Sequence, residues 1–96
     1  MDERSFEAQM ASLRETFLER LAQTQAELDQ LAADGRLRDI INIAHRLKGS
    51  AASYGFEALG AAAKEAEERL TTGDSAASSG ALEPLRAAIS TALATS

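Results

Sequence analysis

The chain has 96 residues, a formal charge of −5, no cysteine and one histidine. That length suits a single domain, residues 1–96. The lack of cysteine excludes disulfides, thiol nucleophiles and thiolate metal sites, and one histidine among carboxylates is a poor donor set for zinc or copper. The acidic balance repels a phosphate backbone, so nucleic acid is not an expected partner. No apolar run is long enough to cross a bilayer, and no basic-then-apolar leader opens the chain. The expected setting is therefore cytoplasmic, without a membrane partner.

Alanine, leucine, glutamate and arginine dominate, and the single proline is Pro84, so helix is expected throughout. The first segment reads as a helix over 3–33. Phe6, Met10, Leu13, Phe17, Leu21, Leu28 and Leu31 recur at steps of three, four and seven, with Thr24 interrupting the stripe. A break near residues 10–12 would make it a short N-terminal extension followed by one long helix. Asp34-Gly35 ends it, glycine being suited to a left-handed cap.

A second helix is expected over 37–53, with Leu37, Ile40, Ile41, Ala44, Leu47 and Ala51 as its buried stripe. Tyr54-Gly55 follows, with Gly55 at positive φ to reverse the chain. A third helix is expected over 57–70, where Phe56, Leu59, Ala63, Ala66 and Leu70 alternate steps of three and four. Gly60, Ala62 and Ala63 permit close approach to a neighbouring helix. The small polar stretches 71–75 and 78–80 read as the main loop. The fourth helix is expected over 81–94, with Pro84 in its first turn and Leu82, Leu85, Ile89, Ala92 and Leu93 facing inward. Four amphipathic helices with short connections point to an all-α fold, an antiparallel four-helix bundle of up-down-up-down topology. A monomer is the default, although the long first helix offers a surface for pairing.

The one histidine, His45, lies about 120° from the centre of its helix's apolar stripe, at the edge of the wet face with Arg38, Asn42 and Gly49. Lys48, at i+3, reaches the same patch. Its stem can lie on the core while the ammonium points outward. Gly49 sits one turn above the ring, although glycine inside a helix costs about 1 kcal/mol relative to alanine. A bare backbone beside an imidazole and a cation suits the approach of something large and anionic. The bland alternatives are a solvated histidine and lysine, and a glycine kept for helix packing.

The stretch Ala44-His45-Arg46-Leu47-Lys48-Gly49-Ser50-Ala51-Ala52-Ser53-Tyr54-Gly55-Phe56-Glu57-Ala58-Leu59 closely resembles the signature of histidine-containing phosphotransfer (HPt) domains. These are the four-helix bundles of bacterial and fungal phosphorelays. The matched pattern is Ala-His-x-Leu-Lys-Gly-Ser, then an aromatic residue, a glycine and a leucine.

The resemblance implies that His45 is the phosphoacceptor. It would exchange a phosphoryl group through Nε2 with the aspartate of a response-regulator receiver domain. Lys48 would stabilise the phosphoryl charge, with a weaker contribution from Arg46, and Gly49 would leave room for the aspartyl phosphate. Glu67 falls where the family often carries glutamate or glutamine after a leucine, although here Ala66 replaces the leucine. It would orient the imidazole through Nδ1–H, or else belong to a solvated run with Glu65 and Glu68. The partner surface would comprise Asn42, Arg46, Gly49 and Ala52. Receiver domains and a hybrid histidine kinase are the implied partners.

No P-loop, glycine-rich phosphate loop or carboxylate cluster for magnesium is present. A relay without its own cofactor is therefore implied rather than a kinase, with Mg²⁺ supplied on the receiver. Two other functions compete. One is a helical interaction module binding a receiver or kinase without phosphoryl chemistry. The other is a hydrolase using His45 with a carboxylate, for which no serine or cysteine nucleophile stands convincingly nearby.

Overall fold

The computed structural model describes residues 3–73 and 79–95. Four helices follow in order, α1 (Glu3–Ala33), α2 (Leu37–Ser53), α3 (Glu57–Thr71) and α4 (Ser79–Ala94), with no strand among the described residues. α1 packs on α2 and α4, and α3 packs on the same two, which closes a square of helices. Cross-helix contacts fix the directions. Asp29 and Gln25 of α1 meet Arg86 and Ser90 of α4, and Lys48 and Ala52 of α2 approach Glu67 and Gly60 of α3. In each pair the numbers rise on one helix as they fall on the other, so neighbouring helices are antiparallel. The result is the up-down-up-down bundle.

The turns follow from their glycines. Gly35 (φ 68°) and Gly55 (φ 85°) each end a helix in a left-handed conformation. Around the first, Arg36 N–H bonds to the Leu31 carbonyl and Gly35 N–H to that of Ala32. Around the second, Phe56 N–H bonds to Ala51 and Gly55 N–H to Ala52. Both are the paired closure that satisfies the last helical carbonyls. Phe56, just past the second turn, stacks on Phe17 at 5.4 Å, and Tyr54 packs on the same ring at 5.2 Å. This aromatic cluster ties the α2–α3 turn to α1.

One hydrophobic core runs through the square, centred on Leu21, Leu28, Ile40, Leu59, Leu70, Leu82, Leu85 and Ile89. Its make-up corrects the expected stripes in three places. On α1, Phe6 and Leu13 are exposed, and burial begins only at Phe17. α1 is continuous through residues 10–12, and its 31 residues span about 46 Å, whereas the 17 of α2 span about 26 Å. Its first turns therefore overrun their partners, so the N-terminal extension is part of α1 itself, with no break at residues 10–12. Thr24 is tolerated at the seam because its hydroxyl donates to the Arg20 carbonyl.

On α2, Ile43 is buried while Leu37 is exposed and Ile41 only half-buried. This helix meets both α1 and α3, so its apolar face is wider than one stripe and turned towards Ile43. On α4, the helix begins at Ser79 instead of Ala81, which places Pro84 beyond the first turn. A proline there leaves the carbonyl four residues back without its helical donor. That carbonyl belongs to Gly80, and the Arg69 guanidinium donates to it at 2.7 Å. Residues 74–78 of the expected loop lie outside the described residues.

Candidate functional site

The site forms where α2 and α3 run side by side. Gly60 of α3 is buried where the two helices meet, and a Cβ there would make ordinary contact with the Lys48 carbonyl and Ala51. Ala44, Leu47 and Ala51 point into the core on one face of α2, while His45, Arg46 and Gly49 emerge on the other. The His45 side chain is 67% exposed and that of Glu67 only 18%. A well-covered carboxylate thus sits at the foot of an open imidazole.

Glu67 holds two groups at once. Its Oε2 lies 2.6 Å from His45 Nδ1, and its Oε1 accepts a hydrogen bond from Lys48 Nζ at 2.9 Å. The bonded Lys48 ammonium, helped by the His45 ring, holds the Glu67 carboxyl below its ordinary value of 4.5, against the opposing pull of partial burial. Glu67 is therefore ionised near neutral pH and can only accept hydrogen bonds. The proton of the neutral ring must then reside on Nδ1, leaving the lone pair on Nε2. Nε2 has no hydrogen-bond partner among the described residues.

Gly49 is not a packing glycine. A Cβ built there would meet nothing within 4 Å. Its helix-weakening backbone is consequently not explained by contact within the chain. Asn42, Arg46 and Ala52 are exposed along the same flank of α2. Beside the ring lies an open depression bordered by Glu27 and Leu31 of α1 and by Asp39, Asn42, Ile43 and Arg46 of α2.

Two features escaped the sequence. Besides lying where it can stabilise phosphoryl charge, Lys48 anchors the carboxylate that holds the imidazole. Glu27 borders the depression although it lies on another helix. Both depend on the register between helices, for which no local signal exists. Among the described residues there is no group of three or more histidines or carboxylates arranged to hold a metal ion. No helix is long and apolar enough to cross a membrane.

Residues 12–95 match the family model described as the Hpt domain. Searches of curated proteins and of solved structures give no match.

Proposed function

The chain belongs to the Hpt domain family, a family of histidine phosphotransfer modules in two-component phosphorelays, and we propose that His45 is the residue through which it relays. On this reading the Nε2 lone pair attacks the phosphorus of a receiver's aspartyl phosphate. The P–N bond forms as the acyl P–O bond breaks, and the aspartate leaves as a carboxylate. The ring then carries a positive charge, with its Nδ1–H still donated to Glu67. No proton has to move in the step, because the countercharge is already in place. The reverse reaction returns the phosphoryl group to a receiver aspartate.

The observation that carries this reading is the pairing of an exposed ring with a covered, ionised carboxylate at its inner nitrogen. Such preorganised charge costs no rearrangement when positive charge develops on the imidazole. Lys48 spends one N–H on Glu67 and keeps two donors for phosphoryl oxygens. Gly49 leaves the space above the ring clear for the receiver, which docks on Asn42, Arg46, Gly49 and Ala52. The Mg²⁺ that neutralises the transferring group comes with the receiver, and a histidine kinase, free or hybrid, supplies the phosphoryl group at the head of the relay. On this reading the nucleotide is consumed by the kinase and the chain acts as a carrier of the phosphoryl group, and a cytoplasmic setting suits these partners.

The test is incubation with a panel of phosphorylated receivers. Label passes to the wild-type chain and not to His45→Gln, whose helicity is unchanged by circular dichroism. Labelling of the variant at the wild-type rate contradicts the assignment.

A further inference from the structure

α1 and α2 leave a groove open between them. Phe17 and Leu21 of α1 and Ile43 and Leu47 of α2 form its apolar floor, and the charged residues that line it are Arg20 and Arg46. The groove runs on into the depression beside His45, since Ile43 and Arg46 border both. There acid enters the wall, as Glu27 and Asp39.

Most of these charges are unmet within the chain. Asp39 pairs with Arg36 at 3.0 Å. Among the described residues no ion pair or side-chain hydrogen bond engages Arg20, Glu27 or Arg46. The sequence explains why. The positions three and four residues from each of them hold no charge of opposite sign. Arg20 and Glu27 are seven residues apart, which places them within about 20° on α1 and about 10 Å apart along it. With Phe17 beside Tyr54 and the two helices antiparallel, His45 stands near the level of Glu27, and Arg46 between Glu27 and Arg20. The groove is thus polarised, basic towards the α2–α3 turn and acidic at the level of the imidazole.

We propose that Arg20 and Glu27 determine which receiver docks on this chain and which way round it lies. The inference rests on the relay reading and extends the contact from α2 to α1. The receiver surface that fits carries an acidic and a basic residue about 10 Å apart, on either side of an apolar side chain. The acid meets Arg20 and Arg46, the apolar group covers Ile43 and Leu47, and the base meets Glu27. A receiver is the occupant because the groove opens on the same depression as the ring that the receiver must reach. Turned end for end, the same surface would set acid against Glu27 and base against Arg20, so the wrong orientation is repelled. Charges at an interface rim act on encounter and affinity, and leave the chemical step to His45, Lys48 and Glu67.

Combining Arg20→Glu with Glu27→Arg keeps the net charge at −5 and creates no like-charge pair at helical spacing, so it inverts the polarity of the groove and little else. A panel of unphosphorylated receivers is titrated into the ¹⁵N-labelled wild-type chain, and the tightest binder is kept. Shifts should include Arg20, Thr24 and Glu27 of α1. The dissociation constant should rise about tenfold or more in the double variant. The KM for transfer from the phosphorylated receiver should rise with it, while the limiting rate stays within about twofold of wild type. Labelling of His45 by phosphoramidate, a small donor that needs no docking, should be unchanged. No bound receiver, an unaltered dissociation constant, or shifts confined to α2 and α3 overturns the proposal. If the double variant instead abolishes self-association of the chain and leaves the receiver bound, the occupant is a second copy and the proposal falls. Failure of every bound receiver to label the wild-type chain strikes the relay reading alone, since docking is read without phosphoryl transfer.

Discussion

Replacing Glu67 with glutamine keeps the size of the side chain and removes its charge. At 2.6 Å the contact with His45 Nδ1 is at least as short as a charge-assisted N–H···O bond, usually about 2.7–2.9 Å. Bonds of that kind contribute about 1.5–3 kcal/mol, against about 0.5–1.5 kcal/mol for neutral pairs. The His45 ring is 67% exposed, so water screens part of the difference, and about 1 kcal/mol is the appropriate figure. The deficit is felt most in the transition state, where the imidazole becomes positive. The rate of phosphoryl transfer from a receiver should therefore fall about five- to tenfold in Glu67→Gln. Rapid-quench transfer kinetics measure the rate, and ¹⁵N NMR of the imidazole reports the tautomer. In the wild type the proton sits on Nδ1, and in the variant the two tautomers should mix. A rate within about twofold of wild type with an unaltered tautomer would show that Glu67 merely belongs to a solvated charge run.

Other consequences are open to measurement. Gly49→Ala should raise the melting temperature, because alanine is the better helix former by up to about 1 kcal/mol and its Cβ meets nothing in the chain. The same change should slow transfer from receivers, and faster or equal transfer would show that the bare backbone is not an approach path. Gly55→Ala should lose about 1–2 kcal/mol in urea titration, since φ 85° strains any L side chain. Stability should also respond to acid. Glu67 has a lowered carboxyl pKa in the fold, so its contribution is complete above about pH 5 and disappears as pH falls through the folded value. Wild type should lose more stability than Glu67→Gln between neutral pH and about pH 3, and equal losses would remove Glu67 from the account.

Helix positions were legible because periodicity and glycine signals are local. α2 begins and ends where its sequence pattern places it, and Gly35 and Gly55 adopt the conformations their turns require. The exposure of His45 followed from helical geometry alone. What the sequence hid were relations between helices. The exposure of Phe6 and Leu13 depends on where α2 stops, not on anything near those residues. The burial of Ile43 depends on α2 having two neighbours. The bond from Lys48 to Glu67 joins residues on different helices, and only the packing of α2 on α3 brings them together. Pro84 looked like a helix start because its missing N–H is harmless there. Its place one turn later is tolerated through Arg69, which no reading of α4 alone would supply.

The central claim is that Nε2 of His45, and not Nδ1, carries the phosphoryl group, since Glu67 occupies the inner nitrogen. ³¹P NMR of the chain after transfer from a phosphorylated receiver tests this directly. A single phosphoramidate at Nε2, lost on acidification and absent from His45→Gln, is expected. A phosphoryl group at Nδ1, or on any other residue, would contradict it.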